Sequence, residues 1–402
     1  MVKIPIKNYI ICSLGPSNLG VGRLVNSLIE YNETNNYNYE FIYNPVPDLK
    51  NKLVSIIIRF SYLNDILRRI HLKLSIKSMQ KKIKNIENSN VILIYPQSIG
   101  FENIIQLASN NNVAFYVVDN SFFCLKSYNH LSGEYASCLR CLGSQTFDES
   151  IDCKPFPMPY SRKKNIDLLK IWKTQSNEFS YLVQNQNQAN LLQKHFDTEL
   201  RVKVVNLYTN EFVQVEKKRD LEKEYEFDIA YHGSLLENKG IYYLIQLSAH
   251  LRNYTILIPY AKEEVLKQYP SLVHIIKLNS NIKFSDMTWE SGLKQKIINS
   301  KIVVCPSLWS APIEGAIIKS IIHNGCVALF NSDYSFGQEL KDNCVIKLNS
   351  NLEESASVLT AAIENQTIRD QLIKNSNHWL DGYLLDKNKQ LDSLFNFYKL
   401  SF

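Results

Sequence analysis

Twice along this 402-residue chain, short apolar runs alternate with stretches of helical periodicity, and one densely charged segment separates the two series. The first series runs through Asn8–Leu14, Val91–Tyr95, Ala114–Val118, Tyr181–Val183 and Val202–Val205, with helical patterns between them. The second runs through Ile229–Tyr231, Thr255–Ile258, Lys301–Cys305 and Cys326–Phe330. A run apolar at every position is a strand buried on both faces, and strands alternating with helices over short connections build open parallel sheets. The expected fold class is therefore α/β, with two doubly wound, Rossmann-like domains. The expected boundaries are 1–212 for the first domain, with a cysteine-containing insertion at about 120–160, and 213–228 for a charged linker. The second domain is expected at 229–382, followed by an aromatic C-terminal helix at 383–402 that packs back onto the body.

Charge is distributed unevenly. Residues 51–90 carry nine basic and two acidic side chains, a local +7 against +6 for the whole chain. Leu63, Leu67, Ile70 and Leu74 recur at helical spacing, while Arg68, Arg69, Lys73 and Lys77 point elsewhere. A basic amphipathic helix over 63–84 is a candidate for lying on an anionic membrane surface; the alternative is a helix with its apolar stripe in the core and its charges in water. The mild overall charge gives no reason to expect a nucleic-acid partner. With 45% apolar and 21% charged residues, disordered and low-complexity classes are excluded. No run of 18 apolar residues suggests a membrane span, and the start lacks the pattern of a signal peptide. The expectation is a cytoplasmic protein, peripheral on the inner face of the membrane if the basic helix binds lipid, with its eight cysteines as thiols or metal ligands.

Ligands of open α/β sheets gather where strands give way to helix N-termini. Three such junctions stand out. Gly15-Pro-Ser-Asn-Leu-Gly20-Val-Gly22 follows the first strand, with Gly20 and Gly22 allowing close backbone approach. Gly233-Ser234-Leu235-Leu236-Glu237-Asn238-Lys239-Gly240 places a lysine at the mouth of a helix, where a diphosphate would sit. Pro306-Ser-Leu-Trp-Ser-Ala-Pro-Ile-Glu314-Gly315 opens a helix carrying Ala316, Lys319 and Ser320, and closes at Asn324-Gly-Cys-Val.

The second and third junctions resemble those of nucleotide-sugar glycosyltransferases of the GT-B group 1 class, family four. That family's Gly-Arg-Leu-x-x-x-Lys-Gly is matched by Gly233, Leu235, Lys239 and Gly240; its Pro-Ser-x-Trp loop is matched by Pro306, Ser307 and Trp309. The resemblance implies two domains facing across a cleft, with donor contacts from Gly20, Gly22, Gly233, Ser234, Lys239, Gly315, Ala316, Lys319 and Ser320. This chain also departs from the pattern. Ser234 stands where the family has an arginine, and Ala311 and Ser320 where it has two spaced glutamates. Glu314 is then the carboxylate left near the donor sugar.

A fourth feature is similar to a subset of the same family, which has a His-Asp pair five residues before a cysteine. Here Val118 replaces the histidine and Asp119 remains, giving Asp119 and Glu314 as candidate catalytic carboxylates. Cys124, Cys138, Cys141 and Cys153, spaced C-x13-C-x2-C-x11-C, form a candidate structural zinc site, the alternative being reduced thiols. Cys12, Cys305, Cys326 and Cys344 lie in apolar runs and belong to the core.

The resemblance implies a hexosyltransferase, retaining and without a catalytic cofactor, that takes a nucleotide-diphosphate sugar as donor. The acceptor would be a glycan or a lipid-linked oligosaccharide in surface polysaccharide biosynthesis. The altered clamp residues raise a rival, a non-catalytic GT-B-like subunit. A sugar-nucleotide epimerase on the same architecture is a third reading.

Overall fold

The structure, a computed structural model, describes residues 6–17, 20–44, 61–96, 99–144, 153, 161–213 and 225–400, with backbone alone at 61–69, 71, 72 and 400. It divides into two compact units. Residues 1–128, 139–209 and 388–402 form the first, and residues 129–138 and 210–387 form the second.

The first unit is built on six parallel strands: β1 (Asn8–Cys12), β2 (Tyr39–Tyr43), β3 (Asn90–Ile94), β4 (Asn112–Tyr116), β5 (Phe179–Val183) and β6 (Arg201–Val204), in the order β2-β1-β3-β4-β5-β6. Val91–Ile94 and Tyr181–Val183 are fully buried, as strands covered on both faces must be. Asparagines mark the register at the amino end of the sheet: Asn112 donates to the Asn90 side chain at 3.0 Å, and Asn90 donates to that of Asn8 at 2.9 Å.

The aromatic C-terminal segment closes this unit. Helix Gln366–Leu385 belongs to the second unit, and after it helices Lys387–Phe395 and Phe397–Leu400 carry the chain onto the first sheet. Tyr398 donates to the Val91 carbonyl at 2.8 Å or that of Asn112 at 3.0 Å, and Tyr39 donates to the Phe395 carbonyl at 2.8 Å. Phe395 stacks against Tyr31 and Tyr37, whose hydroxyls both donate to Asp392.

The second unit repeats the plan with β7 (Phe227–Tyr231), β8 (Ile256–Ile258), β9 (Ile282–Phe284), β10 (Ser300–Cys305), β11 (Val327–Phe330) and β12 (Ile346–Leu348), all parallel, in the order β12-β11-β10-β7-β8-β9. Its core joins Tyr231, Leu244, Ile258, Ile302, Val304, Ala328 and Leu359. Chain order reverses between β7 and β10, and this switch point is where an open sheet leaves a crevice at its carboxyl edge.

The helix expected over 63–84 is observed as Ser61–Ile83. Ile70 and Leu74 are 49% and 62% exposed, one turn apart, beside exposed Lys73, Lys77 and Lys81. Its later residues Met79 and Ile83 are buried. The side chains of Leu63, Leu67, Arg68 and Arg69 lie outside the described residues, as does most of the expected linker.

Candidate functional site

Two loops leave the carboxyl ends of the adjacent strands β7 and β10, and backbone contacts lock them together. Gly240 takes a left-handed φ of +79°, and a Cβ there would fall 1.9 Å from the Pro306 carbonyl oxygen, so only glycine permits this approach. Leu308 N–H donates to the Asn238 carbonyl at 2.9 Å, a second tie between the loops. The β7 loop is braced from below. The Tyr231 hydroxyl lies 2.7 Å from the Ser234 carbonyl and 3.2 Å from that of Lys239, while Tyr260 donates to the Gly233 carbonyl at 2.7 Å.

This bracing brings Lys239 and Glu314 into an ion pair, with side chains 20% and 12% exposed. The Lys239 ammonium also sits over the Trp309 ring, 4.8 Å from its centroid. Ser307 donates to the other Glu314 oxygen at 2.5 Å. Glu314 occupies the N-cap position of helix Gly315–His323 yet makes no side-chain cap bond, because both its oxygens are engaged elsewhere. Beneath the loop lies a small pocket whose lining includes Ser307, Ala311, Glu314 and Phe336. A cation, an aromatic face, a hydroxyl, a carboxylate and a helix N-terminus thus converge at the switch point. That set can hold an anionic, hydroxyl-rich ligand.

One turn into the helix the arrangement is drier. Ser320 is fully buried; its hydroxyl donates to the Ala316 carbonyl at 2.8 Å and lies 2.8 Å from His232 Nδ1. Burial, reinforced by the charge of Lys319, pushes the His232 pKa down to about 3, so this imidazole is neutral. Its ring stacks on Trp289 at 5.1 Å. Lys319 is 5% exposed, pairs with Glu211 at 2.5 Å and lies over the same tryptophan at 4.7 Å. Lys319 and Ser320, expected to face a ligand, are therefore built into the wall behind it. Ser234 is exposed, and Gly315 and Ala316 begin the helix at a part-exposed edge. Gly315 has room for a side chain, the nearest atom to a Cβ being 3.9 Å away.

The remaining candidates lie in the first unit. Gly20 starts helix Gly20–Asn35 at φ +46°, and a Cβ on Gly22 would fall 2.0 Å from Ser17 Oγ. That turn follows β1, beside β3, at the first sheet's own reversal of strand order. Asp119 is 3% exposed and accepts from the Ser121 N–H at 3.0 Å, shaping the turn after β4.

The four cysteines of the expected zinc site all lie among the described residues. Among the described residues no group of three His, Cys, Asp or Glu side chains is placed to hold a metal ion, and none of Cys124, Cys138, Cys141 and Cys153 is in a disulfide. Two hydrogen bonds tie down the backbone just past Cys141. Gly143 N–H donates to His195 Nδ1 at 3.2 Å, and Lys173 donates to the Gly143 carbonyl at 2.9 Å. Sequence reasoning singled out Lys239 and Glu314 but not Trp309 or Ser307 as partners, although both stand in the Pro-Ser-x-Trp loop. Glu211 and Trp289 carry no sequence signal for their contacts with Lys319.

No protein-family model matches the chain, and no curated protein matches it in sequence. Solved structures do match in fold. Sucrose-phosphate synthase (tll1590) from Thermosynechococcus elongatus superposes with a TM-score of 0.66 at 11% identity, covering 98% of each chain. Alr3699/HepE of Anabaena, solved with UDP-glucose, gives 0.57 at 10% identity over 96% of this chain and 99% of its own. WaaG, a glycosyltransferase involved in lipopolysaccharide biosynthesis, gives 0.56 at 14% identity over 97% and 99%. With two parallel six-stranded sheets matched across nearly its whole length, the chain has the GT-B fold of glycosyltransferases.

Proposed function

We propose that this protein is a glycosyltransferase of the hexosyltransferase type, moving a sugar from a nucleotide-diphosphate donor to a glycan or lipid-linked oligosaccharide during surface polysaccharide synthesis. The carrying observation is the convergence of Lys239, Trp309, Ser307 and Glu314 at the second sheet's switch point. Cleavage of the bond between the sugar's anomeric carbon and the β-phosphate oxygen leaves negative charge on the diphosphate. Lys239, released from Glu314, and the N-terminus of helix Gly315–His323 are the groups that would stabilise that charge. Glu314, freed in the same exchange, would accept hydroxyl hydrogens of the donor sugar. Gly20 and Gly22 of the first unit remain candidate donor contacts and Asp119 a candidate catalytic carboxylate, and the expected retention of anomeric configuration is part of this reading. The exposed Ile70, Leu74 and lysines of helix Ser61–Ile83 support a peripheral site on an anionic cytoplasmic membrane face, where a lipid-linked acceptor would be found.

One observation favours a second reading. Each lysine near the site is already paired with a carboxylate, Lys239 with Glu314 and Lys319 with Glu211, and no arginine stands at Ser234. A subunit that has lost turnover would look the same. Thermal shifts with UDP, GDP, ADP, dTDP and CMP on wild type and Lys239→Ala test the donor site. Stabilisation by one nucleotide that the variant loses supports it; silence from all five rejects it. Incubation with the matching sugar nucleotide then separates the classes. Turnover needing an acceptor marks a transferase, conversion of the sugar nucleotide alone an epimerase, and binding without either the non-catalytic subunit.

A further inference from the structure

Residues Asn129–Cys138 leave the first unit and return to it, yet pack within the second. The segment is closed on itself: Cys138 N–H donates to the Asn129 carbonyl at 2.7 Å, and His130 and Ser137 form an antiparallel bridge. It grips both loops of the proposed donor site. Asn129, fully buried, donates to Ser310 Oγ at 2.9 Å and accepts from the Ser310 N–H at 3.1 Å, across 181 residues of chain. Three residues on, the Ser132 hydroxyl and the Gly133 N–H each donate to the Glu237 carboxylate at 2.6 Å. Tyr135 packs edge-on against Tyr243, on the helix that follows the Lys239 loop.

Ser310 follows Trp309, and Glu237 precedes Lys239 by two residues. We infer that the Asn129–Cys138 strap sets the geometry of the site, with Asn129 and Glu237 as positioning residues that act through Trp309 and Lys239. This rests on the nucleotide-diphosphate reading for its consequence but not for its mechanics. A buried amide bonded through both its oxygen and its nitrogen fixes a loop in one place, because a shift costs more than one hydrogen bond at once. Both grips belong to one ten-residue loop, so loosening either should be felt at the other.

The mechanics are tested without ligand, by hydrogen–deuterium exchange on the full chain. Asn129→Ala is expected to speed exchange about tenfold or more at Ser310 and also across Glu237–Gly240; Glu237→Ala is expected to do the converse, and it covers the case in which Asn129→Ala does not fold. Exchange that rises only in the loop each variant touches overturns the strap. The consequence is tested by titrating the nucleoside diphosphate that stabilises wild type. Both variants should weaken it about tenfold, with Glu237→Gln, which keeps one acceptor, recovering most of that. Leu372→Ala, in the core away from the loops and compared at matched fractional stability, should leave it within twofold. Equal weakening by Leu372→Ala overturns the positioning role. A wild type that binds no nucleoside diphosphate refutes the glycosyltransferase reading instead, and the exchange coupling still decides the strap.

Discussion

Lys239 and Glu314 are ion-paired across loops that leave neighbouring parallel strands, 75 residues apart in sequence. The pair is largely sheltered from water yet reachable, so an arriving diphosphate competes with the carboxylate for the ammonium. Glu314→Gln removes the competitor and should tighten pyrophosphate or nucleoside diphosphate about 3–10-fold, or roughly 0.7–1.4 kcal/mol. Sugar transfer by the same variant should fall about 100-fold or more, as expected for a lost donor-sugar contact. Calorimetric titration beside an activity assay checks both, and weaker pyrophosphate binding would sink the competition argument.

The approach of the two loops at Gly240 makes that position intolerant. Gly240→Ala must relieve both a left-handed backbone and a Cβ 1.9 Å from the Pro306 oxygen. It should cost about 3 kcal/mol or more, or abolish folding. Gly382, within helix Gln366–Leu385, has nothing within 4 Å of its Cβ position. Gly382→Ala should stabilise by about 0.5–1 kcal/mol. Urea denaturation distinguishes the two, and similar midpoints for both variants would contradict this assignment.

Two neutral histidines, His195 buried and His232 half-buried, predict acid sensitivity. Burial, helped by the nearby Lys173 charge, lowers His195 to about 3, as burial and Lys319 lower His232. Between an unfolded value near 6.5 and these folded values the unfolded chain binds more protons, so stability is full above pH 6.5 and falls as pH drops toward 3. Each histidine contributes a slope of about 1.4 kcal/mol per pH unit in that window. His195→Gln should remove about one such slope from a plot of unfolding free energy against pH. An unchanged slope would show that His195 is protonated in the folded protein.

Because Gly143, two residues past Cys141, donates to His195 and accepts from Lys173, chelation should not loosen the segment. EDTA treatment followed by dialysis is expected to leave the melting temperature unchanged within 1 °C or so, against the several kcal/mol that a structural zinc would supply. A large drop, restored by zinc, would establish the metal site.

On the proposed membrane face, Leu74→Asp replaces the most exposed apolar residue among the described side chains of helix Ser61–Ile83, 62% exposed. Sedimentation with vesicles containing anionic phospholipid should fall severalfold in the variant, with little change in melting temperature. Equal sedimentation of both proteins would remove this helix from any membrane role.

The strands that the sequence conceals are all edges, and those it reveals are interior apart from β6, an edge strand legible as Val202–Val205. β1, β3, β4, β5, β7, β8, β10 and β11 are interior to their sheets, buried on both faces, and read as unbroken apolar runs. β2, β9 and β12 were not anticipated, and all three are edge strands, short and only partly covered. An edge strand's exposed side admits polar residues, which erases the run. The site divides similarly. Lys239 and Glu314 follow interior strands within short motifs, so local order exposes them. Lys319 also lies in a motif, but its partners Glu211 and Trp289 reach it by tertiary packing alone. The cysteine spacing constrains only which residues are near in sequence, whereas the bonds at Gly143 involve Lys173 and His195, 30 and 52 residues away.

The chain's four passages between units, after Tyr128, Cys138, Thr209 and Lys387, bear on how the protein folds as it leaves the ribosome. All six strands of the first sheet have been synthesised by Val204, yet the tyrosine that bonds to β3 and β4 is residue 398. At about 5–20 residues per second, the first sheet waits roughly 10–40 s for that closure. Meanwhile the Asn129–Cys138 loop must stay unburied until Ser310 appears, so the two units mature together, and a nascent chain stalled before the final helices presents an open flank of the first sheet to chaperones.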